Sequence, residues 1–385
     1  MISELSPRFE LSSRERELLE FSHGVAAPYA ADSDGALPLT TLQDIFRKLE
    51  PSGYLGSILP AGAGGKGLSP LAFAALVEGL SPALPLLGNH SVQRYLHEFG
   101  SPAQCERFLP GLLSGEEVGA IAISETQAAS DLSRIETVAR KKGDRWTIRG
   151  CKTWVTHGMV ASIYIVLARS GEVPGHFTRF IVPSDLPGLT RRPMTPIGLK
   201  HLSFAELEIN DCEMSDALRL GAEGEGASGA KAAFPIARVA AALQALRIAQ
   251  AAIDAAATYA RRRMVGGSAL AGRSLVQRGH ASLWARIEAA RLLSYRAAVN
   301  HSSREAVALA SAAKAISGEL ALEACQWASD CAGSAALSAS HPLTRLSNDA
   351  RMMAVVDGTS VLNHMVVARR GVAQGLTAKS QSSPS

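Results

Sequence analysis

Apolar positions recur at helical spacing near both ends of the chain and in short runs between them. Up to about residue 118, apolar residues three and four apart predict helices such as Leu39–Leu49. After the glycine-rich bend Gly221–Gly229 the same spacing returns and predicts a long amphipathic helix over Ala237–Met264. Further long helices are predicted over Leu275–Ala298 and Ala306–Trp327. The chain therefore has two helical regions with a region of another kind between them.

The middle of the chain contains short runs rich in Val, Ile, Thr and aromatic residues, separated by turn residues. These runs predict strands over Ala120–Ile123, Thr137–Arg140, Arg145–Ile148, Ile163–Ala168, Phe180–Val182 and Ala205–Ile209. Gly143 and Asp144 separate the second run from the third, as a two-residue hairpin turn does. We interpret this region as a small antiparallel β domain.

The three regions together predict an α+β chain with segregated domains. An N-terminal all-α domain is predicted over 1–118, the β domain over 119–225, and a C-terminal α domain like a four-helix bundle over 226–375. The remaining residues, 376–385, are polar and low in complexity, and they are predicted to be a disordered tail. A length of 385 residues suits two or three domains.

The composition excludes several classes of function. With 47% hydrophobic and 19% charged residues the chain is globular, because a disordered chain carries less of the first and more of the second. An aromatic content of only 5% argues against a surface that stacks on bases, so we expect no nucleic-acid partner. The net charge of +4 is compatible with an anionic small ligand or an acidic partner but requires neither.

Targeting segments, metal sites and disulfides are not predicted. No apolar run approaches 18 residues, and the stretch up to Phe21 has no apolar core of a signal peptide. We therefore expect no membrane association and a cytoplasmic location. The five cysteines form no CxxC pair, and the histidines form no HExxH motif, so neither a disulfide framework nor a metal site is expected.

Two short motifs match enzyme signatures but lack the context that their chemistry needs. Gly224–Gly229 matches GxGxxG, yet a dinucleotide site needs a strand before it and a short helix leading to a second strand. A long helix follows instead, so we interpret this segment as a bend between domains. Ser311 and Lys314 match SxxK within an apolar helix, without the companion motifs of that class, and Ser311 is interpreted as a packing residue.

Four segments, taken in order, resemble the acyl-CoA dehydrogenase family over about residues 20–372. The segment 53–110, beginning GYLG, resembles the family's N-terminal helical domain. The segments AISE…SD at 122–131 and GCKTWVTHG at 150–158 resemble the family's strand signature, A-x-T-E-P-x-x-G-S-D followed by G-x-K-x-W-I-T-N-G. Residues 221–263 resemble its glycine bend and following helix, and 351–370 carries Asp-Gly-Thr where the family usually has Glu-Gly-Thr.

The resemblance implies FAD as the cofactor. It places Trp154 against the isoalloxazine ring and Thr156 near the reactive nitrogen, with Ser124 in place of a threonine of the same role. Arg263 is implied to reach the pyrophosphate of a neighbouring subunit's FAD, so a homodimer or homotetramer is expected. The implied cofactor-binding residues are Ile123, Ser124, Ser130, Trp154, Thr156, Arg263, Gly333 and Thr359. The alternatives are an ordinary sheet aromatic for Trp154 and a solvated arginine for Arg263.

The chemistry implied by the resemblance removes two vicinal hydrogens from an acyl thioester. A carboxylate takes the α-proton, and preorganised donors at the thioester oxygen are needed to make that proton acidic enough. Asp357 is the only acid at either of the family's two base positions, since the other is occupied by Ala237. Its own amide is the implied donor, and Arg238 and Gly358 are the implied substrate-binding residues. The alternative for Asp357 is a polar residue of a helix-capping turn.

Departures from the family pattern keep other functions open. Thr126 and Gln127 replace Pro and Gly, and Gly266 replaces an adenine-side Phe, so weaker FAD retention is expected. The Asp-Gly-Thr turn resembles dehydrogenases that act on acyl carrier proteins in polyketide extender-unit pathways, so the substrate is expected to be an acyl-CoA or an acyl-carrier thioester. The electron acceptor is left open between electron-transfer flavoprotein and oxygen. A monooxygenase-like member and a non-catalytic member are the alternative functions.

Overall fold

The computed structural model describes residues 11–30, 35–173, 175–227, 230–303 and 305–380. Its N-terminal helices are α1 (Ser13–Ala26), α2 (Leu39–Leu49), α3 (Pro70–Leu80), α4 (His90–Phe99) and α5 (Pro102–Ser114). Local sequence explains where two of them begin: Ser12 caps α1 in a capping box with Glu15, and Ser101 caps α5 in the same way with Gln104. The helical N-terminal region predicted from periodicity is confirmed.

A single eight-stranded sheet follows. Its strands are β1 (Gly119–Ala122), β2 (Val138–Lys142), β3 (Arg145–Val155), β4 (Ile163–Arg169), β5 (Phe177–Pro183), β6 (Leu189–Pro193), β7 (Ala205–Ser215) and β8 (Arg219–Leu220). The strand order is β6-β7-β3-β2-β4-β5-β8, with β1 beside β4. Lys142 pairs with Arg145, so Gly143 and Asp144 form the predicted hairpin turn.

The sheet differs from the sequence prediction in two respects. The strand β1 runs parallel to β4, and Val138 of β2 pairs in parallel with Arg169. The sheet is therefore mixed, with mostly antiparallel pairs, rather than purely antiparallel as predicted. The strands β6 and β8 were not predicted. Four of the five residues of β6 are exposed, and β8 has two residues, so neither strand carries an alternating apolar pattern.

Five long helices form the C-terminal region. They are α6 (Ala230–Arg262), α7 (Ser274–Val299), α8 (Ala306–Ala332), α9 (Pro342–Val355) and α10 (Ser360–Ser380), with the short hairpin β9 (Met264–Val265) and β10 (Ser268–Ala269) between α6 and α7. The predicted stripe of α6 is confirmed, because Val239, Leu243, Leu246, Ala249 and Ile253 are all buried. The helix ends at Arg262 rather than at Met264, which pairs with Ala269 in the hairpin.

Helix α6 passes a length and hydropathy test for a membrane span over Pro235–Arg262, with a mean hydropathy of 1.3. Its apolar side chains, however, pack against α7, α8 and α9 in one of the hydrophobic cores, as those of a central bundle helix do. Helix α10 continues to Ser380, past residue 375 where the tail was predicted to begin, and 381–385 lie outside the described residues. The predicted α+β architecture of helices, strands and helices is confirmed.

Candidate active site

The Asp357-Gly358-Thr359 segment forms a tight turn between α9 and α10. Asp357 has a φ of +54° and Gly358 a φ of +97°, so two successive residues adopt backbone conformations that L residues rarely occupy. Asp tolerates the left-handed region better than most residues, and glycine does so without cost. A Cβ at Gly358 would lie 3.2 Å from Asn363 Nδ2. The Asp-Gly sequence therefore suits a chain reversal that presents a partly buried carboxyl group.

Side chains from three helices hold the carbonyl groups of this turn. Arg238 Nε of α6 donates to Asp357 O at 3.4 Å. Lys314 Nζ of α8 donates to Ala354 O at 3.1 Å and to Gly358 O at 3.2 Å. Asn363 Nδ2 of α10 donates to Gly358 O at 2.8 Å. The backbone on both sides of the carboxyl group is thus fixed from outside the turn.

The amide of Asp357 behaves differently from these carbonyl groups. Within the part of the chain that the structure describes, its N–H donates no hydrogen bond. An unengaged backbone donor beside a carboxyl group is the arrangement needed to bind a thioester oxygen while the carboxylate takes the adjacent proton. The geometry of the turn therefore permits the predicted arrangement, in which Asp357 supplies both the base, through its carboxylate, and the donor, through its backbone amide.

Burial and two cations act on the Asp357 carboxyl group in opposite directions. Burial raises its pKa above the usual range, while the positive charges of Lys314 and Arg238 lower it, and burial dominates. Burial also lowers the pKa of Lys314 to about 8, although the charge of Asp357 opposes that change. A carboxylate with a raised pKa is a stronger base than an ordinary one, which suits proton abstraction.

Sequence reasoning missed three members of this group. Ser311 was interpreted as packing, but its Oγ accepts a hydrogen bond from Arg238 Nη1 at 3.0 Å. Lys314, which stands in the alanine-rich first half of α8, and Asn363 were given no role. The sequence did contain one signal: a lysine within an alanine-rich helix is expected to be buried, and a buried ammonium requires polar partners. Arg238, Asp357, Gly358 and Thr359 were predicted, and the structure brings them together.

A second group of predicted residues meets where β3 passes the loop after β1. Thr153 N donates to Ser124 O at 2.9 Å, and Lys152 Nζ donates to Ile123 O at 3.0 Å. The Lys152 ammonium also lies 2.7 Å from Glu125 Oε1, and both of these side chains are buried. Ile123 and Ser124 are thereby held against the strand that carries Trp154, and Thr156 lies in the turn that follows this strand.

Trp154 is presented by a β-bulge rather than by a regular strand. The pairing of β3 with β7 is irregular between Lys152 and Val155, and Trp154 has a φ of +56°. A bulky residue in the left-handed region is uncommon, and such an outlier often marks a functional position. The indole is 48% exposed and packs edge-on against Phe204 with ring centroids 5.7 Å apart.

These residues fit a flavin ring. An exposed indole supplies a flat apolar wall, and the Thr156 hydroxyl, which makes no hydrogen bond with the residues described here, supplies a donor beside it. Trp154 N donates to Met194 Sδ at 3.4 Å, which holds the bulge in place. The predicted group of Ile123, Ser124, Trp154 and Thr156 can hold FAD by its ring.

Three predicted cofactor residues lie apart from both groups. Arg263 follows the end of α6, 25 residues after Arg238, which is about 37 Å along a helix. It lines an open cavity of about 690 Å³ together with Tyr259 and His341. Gly333 caps the end of α8 with a φ of +60°. Ser130 is exposed in the loop between β1 and β2. Among the described residues, no group of three or more His, Cys, Asp or Glu could hold a metal ion.

Comparisons with known proteins agree with this geometry. The acyl-CoA dehydrogenase N-terminal, middle and C-terminal domain models match residues 15–116, 120–212 and 224–372. The chain is 31% identical to 3-sulfinopropanoyl-CoA desulfinase of Paraburkholderia xenovorans, over 96% of this chain and 98% of that protein. It is 32% identical to the mitochondrial short-chain specific acyl-CoA dehydrogenase of Homo sapiens, over 91% of this chain and 87% of that protein.

A solved structure shares the fold over nearly the whole chain. Butyryl-CoA dehydrogenase from Megasphaera elsdenii superposes with a TM-score of 0.85 and 26% identity, covering 95% of this chain and 100% of that one. The resemblance that rested on four sequence segments thus extends to all three domains. We conclude that the chain belongs to the acyl-CoA dehydrogenase family of FAD-dependent oxidoreductases.

Proposed function

We propose that the protein catalyses α,β-dehydrogenation of an acyl thioester, with Asp357 as the base that removes the α-proton. One observation carries the proposal: a partly buried carboxyl group with a raised pKa stands beside its own unengaged amide, in a turn held by Arg238 and Lys314. Membership of the family supports the reaction class, and the carboxyl group supports catalysis by this particular chain. When bound, FAD supplies the acceptor for the β-hydride.

The residues of the turn and its neighbours have separate roles in proton abstraction. The Asp357 carboxylate accepts the α-proton, and the Asp357 amide donates to the thioester oxygen as negative charge develops there. Gly358 has no side chain, so the substrate can approach the turn closely. Arg238 and Lys314 hold carbonyl groups before, at and after Asp357, which limits the orientation of the residue that carries both the base and the amide. Misplacement of a base by about 1 Å can cost roughly 100-fold in rate, so this orientation matters.

The residues around the proposed flavin pocket bind and orient the cofactor. Trp154 packs against the ring, Thr156 donates beside it, and Ser124 and Ile123 complete the pocket from the neighbouring loop. We further propose that Ser130, Gly333 and Thr359 contribute cofactor contacts and that Arg263 contacts the FAD of a neighbouring subunit. The distance of Arg263 from the carboxylate turn supports that assignment. The expected homodimer or homotetramer is tested by sedimentation, and a monomer would contradict the role of Arg263.

We propose that the acyl group is carried by CoA or by an acyl carrier protein. The relatives named above are CoA thioester enzymes, which favours CoA. The net charge of +4 suits either carrier because both are anionic. Electron-transfer flavoprotein or oxygen is the proposed acceptor, and the cytoplasmic location stays a prediction for cell fractionation.

The test follows flavin absorbance. The purified protein is titrated with FAD, made anaerobic and mixed with a series of acyl-CoA and matching acyl-carrier thioesters. We expect FAD uptake, and bleaching by at least one thioester. Asp357→Asn should slow bleaching at least about 100-fold, because general-base catalysis contributes that much or more. Asp211→Asn serves as the control, since Asp211 is an exposed residue of the β domain that pairs with Arg149.

The other outcomes select the alternatives. A protein that takes up no FAD would contradict the proposal and favour a non-catalytic member. Oxygen consumption with an added flavin reductase, without bleaching by any thioester, would favour a monooxygenase-like reaction. Bleaching of Asp357→Asn at the parent rate would show that another group is the base.

A further inference from the structure

We infer that Lys314 is a positioning residue for the base: its ammonium group fixes the turn that carries Asp357, and its charge favours the carboxylate over the neutral acid. The inference rests on the proposed function of Asp357 and deepens it. No motif match assigns Lys314 such a role, because the SxxK pattern in which it stands lacks the rest of that enzyme class.

Lys314 holds two carbonyl groups, one on each side of Asp357. Ala354 O lies in the last turn of α9, before Asp357, and Gly358 O lies immediately after it. One ammonium group therefore ties together both ends of a turn whose central residue has an unfavourable φ of +54°. Strained backbone persists only where surrounding structure over-determines it. Lys314 supplies that constraint at the residue that the reaction depends on.

The Lys314 side chain is fully buried, and its position is otherwise costly. A buried lysine pays a desolvation penalty that is recovered only through hydrogen bonds and a nearby anion. Its two carbonyl partners satisfy two of its three N–H donors. The negative charge that acts on it is Asp357. A leucine or methionine would fill the same space without the penalty. The presence of an ammonium group therefore indicates a role that an apolar side chain could not perform.

Two charged groups act on the Lys314 ammonium. Asp357 and Arg238 are the charges that act on Lys314 from the turn and from α6. Three pairs of titratable side chains on the other packed helices contact each other: His364 of α10 with Glu319 of α8, Arg286 of α7 with Glu323 of α8, and Arg345 with Asp349 within α9. Removing the charge of Lys314 therefore leaves Arg238 as the remaining cation beside Asp357. The neutral acid, which cannot accept a proton, then becomes more stable.

The test titrates the Asp357 carboxyl group directly. Infrared difference spectra of the purified protein as a function of pH contain a protonated-carboxyl band, which is assigned to Asp357 by its loss in Asp357→Asn. We expect Lys314→Met to raise the midpoint of that band by about one pH unit, as removal of a neighbouring opposite charge does. Lys314→Gln, which retains an N–H donor for one carbonyl without the charge, should raise it similarly. Lys142→Met, an exposed lysine of β2, should leave the midpoint unchanged.

Kinetics provide a second readout. The acid limb of kcat/KM against pH should move upward with the infrared midpoint, and at pH values below the parent's midpoint Lys314→Met should be about tenfold less active than the parent. If Lys314→Met fails to fold, Lys314→Gln decides the question.

The outcomes separate this inference from the proposed function. If no thioester bleaches the flavin but the infrared midpoint moves as expected, the reaction is wrong and the role of Lys314 toward Asp357 stands. If bleaching depends on Asp357 but both Lys314 variants titrate and turn over like the parent, the role of Lys314 is wrong and the base assignment stands.

Discussion

The Lys152 ammonium lies 2.7 Å from Glu125 Oε1, and this buried ion pair joins β3 to the loop that carries Ile123 and Ser124. Thr137 Oγ1 also donates to the same carboxylate oxygen at 2.6 Å. Burial alone would raise the pKa of Glu125, but the hydrogen bonds from Lys152 and Thr137 outweigh it, and the pKa lies below the usual range. The pair therefore holds the two halves of the proposed flavin pocket together.

Removal of one partner of this pair should be strongly destabilising. Lys152→Met leaves the Glu125 carboxylate buried without its cation, and we expect a loss of about 3–5 kcal/mol in the free energy of unfolding, measured with urea. FAD should also bind more weakly, because the loop of Ser124 loses its anchor. Arg149→Met provides the comparison: it breaks an exposed pair with Asp211 and should cost less than about 1 kcal/mol. Equal costs for the two variants would contradict this account.

Trp154 should matter for flavin binding more than for folding. The indole is 48% exposed, much as that of Trp284 is, so truncation of either side chain to Ala should lower the melting temperature of the FAD-free protein by a similar amount. FAD affinity should fall about tenfold, which corresponds to about 1.4 kcal/mol of lost contact with the ring. Trp284→Ala, at a tryptophan of α7 that is 51% exposed, is the matched control. Equal FAD affinity in the two variants would exclude Trp154 as the ring wall.

Gly358 should not tolerate a side chain. Gly358→Ala places a Cβ 3.2 Å from Asn363 Nδ2 at a φ of +97°, and we expect a cost of about 1–2 kcal/mol together with slower thioester-dependent bleaching. Gly24→Ala is the reference, because a Cβ at that helical position of α1 meets nothing within 4 Å and should be neutral or stabilising. Unchanged bleaching by Gly358→Ala would show that the turn is less constrained than its hydrogen bonds indicate.

Asp216 should make the β domain sensitive to acid. Hydrogen bonds from Arg219 and then from Trp146 lower the pKa of Asp216 to about 2. Because the folded-state pKa lies below the unfolded value of about 3.9, the stabilisation is present above pH 4 and is lost as the pH falls toward 2. The stability difference between the parent and Asp216→Asn should shrink over that interval in urea titrations at successive pH values. A difference that stays constant with pH would contradict the shift.

Local pattern accounted for most of the secondary structure. Apolar spacing located α2 with the bounds that the structure has, and it located α7 and β4 to within one residue at each end. These predictions succeed because helix and strand periods are properties of neighbouring residues. The strands β6 and β8 were not predicted, because an exposed or two-residue strand is stabilised by its pairing partner and has no apolar pattern of its own.

The same distinction between local pattern and tertiary contact applies to the candidate site. The sequence was enough to predict the family from four segments, and the Asp-Gly-Thr and Lys-x-Trp-x-Thr motifs could be read directly because each is contiguous and has a characteristic chemistry. Tertiary structure alone decided that Lys314 holds a turn more than 40 residues later in the chain and that Ser311 binds Arg238. A lysine in an apolar helix indicates that polar partners exist, but only packing shows which residues they are. That is why the proposed support of the base became visible only in the folded chain.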